Sequence, residues 1–294
     1  MSTPRFLRLP PNVRRTDIDT PRGSFAALEA YPSAGDADRD PALLVPGITG
    51  SKEDFLSVLQ PLAEAGRQVV AIDMRGQYET PGSEDRAAYS CAALGADVAA
   101  VLDTLAGAVR RTGVHLLGHS FGGLVTRETV LDGHRVASFT LMSSGPSALT
   151  GTKEEEGRLL LAVLPELGLE QLWEMHFGPE AAANGVPPQI AAFLRERMLK
   201  NSVAGLRGMV EEILCAADRV VELADVSLPK LVLCGKDDDV WAPEIQAEMA
   251  ARLDAEHVVL PDVGHSPAVD APDATADALT SFWNTAERDG DVGG

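Results

Sequence analysis

The segment Gly118-His119-Ser120-Phe121-Gly122-Gly123 constrains the fold more than any other part of this 294-residue chain. It follows a short apolar run, 114–117, that is typical of a strand, and it precedes a segment with helical patterning, 124–131. The glycines two residues before and two residues after Ser120 let strand and helix backbones pass closely, in a sharp turn that exposes the serine Oγ. The segment therefore predicts a strand, a turn and a helix, with a reactive Ser120 at the turn. A turn that only packs the helix onto the strand is the simpler alternative.

A serine hydroxyl is a weak nucleophile unless a base accepts its proton and a third group orients that base. Of the six histidines, His265 has the most suitable context, because it follows Gly264 in a loop directly after the strand-like run 258–260. Three carboxylates, Asp237 to Asp239, follow another strand-like run, 231–234. Serine, acid and histidine thus occur in the chain order that such a turn predicts. Spacing alone leaves open which carboxylate acts, or whether all three only solvate a turn.

With these motifs the chain resembles the α/β-hydrolase superfamily, in particular members with a serine nucleophile and a helical cap, such as esterases and perhydrolases. The resemblance covers about residues 13–283. It implies an α/β fold, with a mostly parallel central sheet and helices on both faces. In the family pattern the acid stands three residues after the glycine that ends the strand, so the resemblance selects Asp238 over Asp237 and Asp239.

Two loops match the family in part. Pro46-Gly47-Ile48 lies where many members carry His-Gly followed by an oxyanion-hole residue. The resemblance therefore implies that the backbone N–H groups of Ile48 and Phe121 bind an oxyanion, although a plain strand-to-helix turn is the alternative. The segment 73–78 resembles the family's Asp-x-Arg-Gly-x-Gly loop, with Tyr78 in place of the second glycine. We predict a structural role for the charged side chains of this loop.

The alternation of strand-like and helix-like segments predicts a parallel sheet covered by helices. It stops between 146 and 226, where only helical patterns occur and where Thr152 with Glu155 matches a capping box. Roughly 80 residues of helix exceed an ordinary crossover connection. We therefore predict a helical cap at 146–226, inserted between two parts of the α/β-hydrolase core, 1–145 and 227–294.

Three aromatic residues are candidates for a substrate pocket. Trp173 and Phe177 lie in the predicted cap, and Trp241 lies just past the acid loop. Each could equally pack in a core, so the sequence predicts an apolar pocket without determining its lining.

The formal net charge of −19 argues against binding to nucleic acid or to anionic lipid. The first residues have no apolar signal region, and no run of about 18 apolar residues occurs, so we expect no membrane association. Three scattered cysteines fit a reducing, cytoplasmic compartment. The sequence has no metal-ligand spacing, P-loop or dinucleotide fingerprint, so we predict no cofactor and no metal. Either a monomer or a homodimer is compatible with these features.

The sequence thus predicts a serine hydrolase that cleaves an ester-type bond of a small, largely apolar substrate through an acyl-enzyme. A carboxylesterase, lactonase, thioesterase, carbon–carbon hydrolase or perhydrolase fits the same residues. The alternative class is a biosynthetic cyclase or small-molecule receptor that uses the fold with little hydrolytic turnover.

Overall fold

One sheet organises the molecule. The computed structural model describes residues 1–35, 37–108 and 113–292; the other residues belong to the predicted core segments 1–145 and 227–294 and lie outside the described part. The strands in the described part are β1 (Val13–Thr20), β2 (Gly23–Ala30), β3 (Ala42–Val45), β4 (Val69–Ile72), β5 (His115–His119), β6 (Ser138–Met142), β7 (Lys230–Gly235) and β8 (Glu256–Leu260).

The strand order is β1-β2-β4-β3-β5-β6-β7-β8. β1 and β2 form an antiparallel hairpin, and β2 pairs antiparallel with β4. From β4 to β8 every neighbouring pair is parallel. The central strands β3 to β7 are buried along their whole length, as expected for a parallel sheet covered on both faces. The predicted α/β class is confirmed.

Helices connect the parallel strands. In the described residues they are α1 (Leu56–Glu64), α2 (Cys91–Ala108), α3 (Phe121–Leu131), α4 (Thr152–Leu172), α5 (Gly178–Ala183), α6 (Pro188–Lys200), α7 (Val203–Cys215), α8 (Val220–Ala224), α9 (Pro243–Leu253), α10 (Pro267–Asp270) and α11 (Pro272–Val292). One apolar cluster joins α2, α3, α8 and α9 to one face of the sheet, and it continues into α4, α6 and α7. A second cluster packs α1 and α11 on the other face.

The five helices α4 to α8 lie between β6 and β7, within the segment predicted as a cap. Two of them, α4 and α6, contact loops at the carboxyl ends of the parallel strands. Lys153 pairs with Asp239 at 2.9 Å, and Arg197 pairs with Asp54 at 2.6 Å. Because these loops hold the predicted site residues, a cap function stays the prediction for this segment.

The start of α4 differs from the sequence prediction. Thr152 is the first helical residue, and the residue before it, Gly151, occupies the cap position with φ 61° and without a side-chain hydrogen bond. The capping box predicted for Thr152 and Glu155 is therefore wrong. A glycine in the left-handed region supplies the turn into the helix instead.

In the part of the chain that the structure describes, no helix combines the length and apolar character needed to cross a membrane.

Candidate active site

Ser120 lies between the end of β5 and the start of α3. Its backbone has φ 55° and ψ −124°, in a region that non-glycine residues rarely adopt. Hydrogen bonds hold this conformation: Ser120 N donates to Met142 O at 2.9 Å, and Ser120 O accepts from Gly123 N at 2.9 Å and from Ser144 Oγ at 2.8 Å. The turn thus presents the serine side chain at the carboxyl edge of the sheet.

Two glycines make this turn sterically possible. A Cβ at Gly118 would overlap Thr126 Oγ1 and Gly122 O, because the first turn of α3 crosses directly over the end of β5. A Cβ at Gly122 would overlap Pro46 O, in the loop after β3. The glycine spacing seen in the sequence therefore serves close backbone approach at this turn.

His265 and Asp238 complete a chain of hydrogen-bonded groups with Ser120. His265 Nε2 lies 2.9 Å from Ser120 Oγ, and His265 Nδ1 lies 2.8 Å from Asp238 Oδ1. Asp238 follows β7 and His265 follows β8, so three loops at the same sheet edge, after β5, β7 and β8, supply the three groups. This geometry suits proton transfer from the serine to the histidine.

Asp238 is buried and fully hydrogen-bonded. Its Oδ1 also accepts from Val240 N at 3.0 Å, and its Oδ2 accepts from Gln246 Nε2 at 2.9 Å. Burial alone would raise the pKa of Asp238, but hydrogen bonds and the charge of His265 outweigh burial and lower it from its ordinary value. The carboxylate therefore stays ionised at neutral pH.

The neighbouring carboxylates have other partners. Asp239 is exposed and pairs with Lys153 of α4 at 2.9 Å. Asp237 donates its backbone N–H to Val263 O at 2.9 Å. Among the described residues, Asp238 is the member of the three whose side chain contacts His265.

His119 supports the other side of His265. It is buried, and its Nε2 lies 2.8 Å from the backbone oxygen of His265. Burial and the nearby His265 lower the pKa of His119 to about 3. His119 is thus neutral at physiological pH, and its Nε2–H donates to the His265 carbonyl. His119, which directly precedes Ser120 in the chain, therefore supports the backbone of His265.

The loop after β3 lies against the serine. A Cβ at Gly47 would lie 3.1 Å from Ser120 Cβ and 3.5 Å from Ser120 Oγ. Within the described part of the chain, the backbone N–H groups of Ile48 and Phe121 have no hydrogen-bond acceptor. Gln77, which is buried, donates from Nε2 to Gly47 O at 2.8 Å and to Ile48 O at 3.1 Å.

The three predicted pocket residues belong to one apolar cluster. Trp173 and Trp241 are buried within it, and the half-buried Phe177 packs against it together with Ile48. The Trp241 ring lies 6.4 Å from the His265 ring, between centroids. Of the three, Trp241 is the residue whose ring is observed beside His265.

Three site residues were missed by the sequence reasoning: Gln77, Ser144 and Gln246. Each supports a predicted site group through its side chain, but none lies in a motif that distinguishes it from an ordinary polar residue. The described residues contain no group of three or more His, Cys, Asp or Glu side chains arranged to hold a metal ion.

This fold and site define an α/β hydrolase, and comparison with known proteins agrees. The model of the alpha/beta hydrolase family matches residues 42–278, so the chain belongs to that family. The chain is accordingly a member of a hydrolase family with esterase and lipase relatives.

Two curated relatives and one solved structure illustrate the similarity. A protein of Variovorax paradoxus provisionally named carbamate hydrolase RutD is 30% identical over 81% of this chain and 90% of its own length. Lipase 1 of Psychrobacter immobilis is 25% identical over 87% of this chain and 81% of its own length. A thermophilic esterase from Thermogutta terrifontis has a TM-score of 0.71 at 23% identity, and the match covers 93% of this chain and 99% of that one.

Proposed function

We propose that this protein is a serine hydrolase that cleaves an ester-type bond through a covalent acyl-enzyme. The observation that carries the proposal is the continuous chain of hydrogen-bonded groups from Ser120 Oγ through the His265 ring to Asp238, with separations of 2.9 Å and 2.8 Å. A serine that is hydrogen-bonded to a histidine, itself oriented by a buried carboxylate, is activated for attack on a carbonyl carbon.

The first half of the reaction forms the acyl-enzyme. Ser120 Oγ attacks the substrate carbonyl carbon while its proton passes to His265 Nε2. Asp238 accepts the Nδ1–H of His265 and stabilises the positive charge that the ring gains. The protonated Nε2 then donates its proton to the leaving alcohol oxygen as the ester bond breaks.

The second half releases the acid. Water loses a proton to His265 Nε2 and attacks the acyl carbon, after which the proton returns to Ser120 Oγ as the bond to the enzyme breaks. In both halves a tetrahedral oxyanion forms. The N–H groups of Ile48 and Phe121 are the proposed donors to it, because both belong to backbone segments beside Ser120 and have no other acceptor within the described residues.

A small, largely apolar acyl or alkyl group is the proposed substrate class. Ile48 packs against the apolar cluster that contains Trp241, and the Trp241 ring lies 6.4 Å from the His265 ring, so apolar side chains lie close to the proposed site. Such a surface favours hydrocarbon over charged groups, since burial of an unpaired charge is costly.

A carbamate is the second candidate substrate, because the relative that is 30% identical carries the name of a carbamate hydrolase. Its carbonyl would pass through the same kind of tetrahedral oxyanion. The ester and carbamate proposals therefore share the site and differ in the substrate.

The test is hydrolysis of p-nitrophenyl esters from acetate to decanoate, and of a p-nitrophenyl carbamate, by the wild type and by Ser120→Ala and His265→Ala. We expect each substitution to lower kcat by about 10⁴-fold or more. Mass spectrometry should find a fluorophosphonate adduct on Ser120. A wild type that neither turns over nor reacts with the probe would contradict the proposal and favour the receptor or cyclase class.

The acid is tested with matched variants. Asp238→Asn should lower kcat by about 10⁴-fold, since the amide no longer fixes the His265 tautomer that accepts the serine proton. Asp237→Asn and Asp239→Asn remove the same charge from adjacent positions and should stay within a few-fold of the wild type. An equally large decrease in kcat in either control would contradict the assignment of Asp238 as the acid.

A further inference from the structure

Gln77 is a buried side chain that the proposed reaction does not use directly. It is 1% exposed and lies in the loop after β4, at the second variable position of the segment 73–78. Its Oε1 accepts from Met74 N at 2.9 Å, and its Nε2 donates to Gly47 O and Ile48 O. Each end of the amide thus has a distinct partner, which fixes its orientation.

Backbone bonds hold Gln77 itself in place. Gln77 N donates to Met74 O at 2.9 Å, and Gln77 O accepts from Thr80 N at 2.8 Å. Thr80 Oγ1 in turn donates to Asp73 O at 2.9 Å and accepts from Ala26 N of β2 at 2.9 Å. The side chain therefore projects from a loop that is anchored to the sheet.

The carbonyl that Gln77 holds belongs to the same peptide group as the Ile48 N–H. A trans peptide is planar, and its C=O and N–H point in opposite directions. An anchor on Gly47 O consequently determines where the Ile48 N–H points. Because Gly47 lies against Ser120, this orientation decides whether the N–H faces the space beside the serine Oγ.

The same bond also affects the strength of the donor. A hydrogen bond to a peptide oxygen polarises the group and makes its N–H a better donor, and the effect is larger away from water. Gly47 O also accepts from Gly50 N at 3.0 Å, so two donors act on this one carbonyl. The Ile48 N–H is therefore both oriented and polarised before any substrate binds.

We propose that Gln77 is the positioning residue of the oxyanion hole: its Nε2 fixes the Gly47–Ile48 peptide so that the Ile48 N–H points at the developing oxyanion. The inference rests on the proposed serine-hydrolase function and adds a residue to it. Only a side chain with an acceptor at one end and a donor at the other satisfies both Met74 N and the two carbonyls. Glutamate has the same shape without the donor.

The kinetic test compares Gln77→Met and Gln77→Glu with the wild type on p-nitrophenyl butyrate. We expect kcat to fall roughly 10- to 100-fold with KM changed less than threefold, since the loss of an oxyanion donor itself costs about 10²- to 10³-fold. Gln68→Met is the matched control, because Gln68 is also a buried amide but precedes β4, at the opposite end of that strand from Gln77, and donates to Glu29 and Tyr31. The control should keep its kcat even if it unfolds at lower temperature.

Inhibition by a trifluoromethyl ketone distinguishes a loss of oxyanion-hole positioning from a general loss of folded structure. The ketone forms an oxyanion on the serine, so its inhibition constant should rise by the same factor as kcat falls in both Gln77 variants. Variants that keep the wild-type kcat and the wild-type inhibition constant overturn the proposal, as does a loss that appears equally in Gln68→Met.

Crystal structures of the wild type and Gln77→Met give a readout that needs no turnover. A rotated Gly47–Ile48 peptide in the variant supports the positioning role, and an unchanged peptide overturns it. A wild type without esterase activity or fluorophosphonate labelling would contradict the proposed function, and the peptide orientation would still decide the role of Gln77.

Discussion

At the scale of single residues, the site depends on side chains whose protonation is set by burial. His119 is the clearest case, because it is buried beside His265 and its pKa falls to about 3. An exposed histidine in the unfolded chain titrates near 6.5. Between these values the unfolded chain binds a proton that the folded protein does not, so stability must fall as pH falls from about 6.5 towards 3.

His119→Gln should reduce this acid sensitivity. A glutamine side chain can donate an N–H towards His265 O but does not titrate, so the protonation difference at this position disappears. We expect the free energy of unfolding, measured in urea at pH 7 and pH 5, to decrease less in the variant than in the wild type. An equally steep decrease in both proteins would show that His119 is protonated in the folded state.

The sequence predicted some of these residues and not others for a physical reason. Ser120 lies in a local motif and His265 follows a strand-like run, so short-range patterns were enough to select these two. Asp238 was selected among three adjacent carboxylates only by the resemblance to the family. Gln77 and Gln246 act through contacts that depend on how loops fold back on one another. A glutamine is common on surfaces, and no local pattern marks one that will be buried.

At the scale of elements, the loop after β6 passes very close to the loop after β7. A Cβ at Gly145 would overlap the indole ring of Trp241, which is 3% exposed. The backbone oxygen of Trp241 accepts from Gln246 Nε2 at 2.8 Å, and the same nitrogen donates to Asp238. The fit at Gly145 is therefore coupled to the position of the proposed acid.

Gly145→Ala should lower both the free energy of unfolding and kcat. Overpacking of this kind costs about 1–3 kcal/mol, and displacement of Trp241 would disturb the Gln246 bond to Asp238. Urea unfolding and kcat on p-nitrophenyl butyrate measure the two effects.

Gly107→Ala is the control for that substitution. Gly107 lies in α2, and a Cβ there would meet no atom within 4 Å. Alanine in a helix interior is favoured over glycine by about 1 kcal/mol, so this variant should be as stable as the wild type or more so, with unchanged kcat. A Gly145→Ala protein that behaves like Gly107→Ala would contradict the close packing described for Trp241.

The strands and helices were predictable where an apolar pattern extended over a whole element, and the prediction failed at one helix boundary. Buried apolar runs identified the strands of the parallel sheet, because both faces of such strands are covered. The predicted start of α4 was wrong because Gly151, at positive φ, occupies the position before the helix, so Thr152 is already helical. The Thr-x-x-Glu pattern was given more weight than the glycine that precedes it.

At the scale of the whole molecule, a buried ion pair ties the inserted helices to the core. Arg197 of α6 is fully buried and pairs with Asp54, which is 3% exposed, at 2.6 Å. Arg197 also donates to Ser2 O at 2.8 Å. The broken strand–helix rhythm was enough to predict an insertion, but not which side chain would join it to the loop after β3, since that pairing spans 143 residues.

Arg197→Met should destabilise the folded protein by about 3–5 kcal/mol, because it leaves Asp54 buried without its cation. Burial already raises the pKa of Asp54 despite Arg197, and removal of the cation raises that pKa further. When a carboxyl group has a raised pKa in the folded state, the folded protein becomes less stable as pH rises. The difference in free energy of unfolding between Arg197→Met and the wild type, measured in urea, should therefore be smaller at pH 5 than at pH 8.

Lys200→Met supplies the comparison on the same helix. Lys200 pairs with Glu196 at 2.7 Å, but both side chains are about half exposed, at 50% and 53%. Exposed pairs contribute about 0–1 kcal/mol. Equal losses in the two variants would mean that Arg197 contributes no more than a surface charge.

The order of the site residues along the chain has a consequence for synthesis on the ribosome. Ser120 and its turn emerge first, whereas His265 lies after β8, the last of the described strands along the chain. A nascent chain that stops anywhere before that point carries the serine without a base to activate it. Under the proposed mechanism, ester hydrolysis would therefore begin only after β8 and the loop that holds His265 have been synthesised.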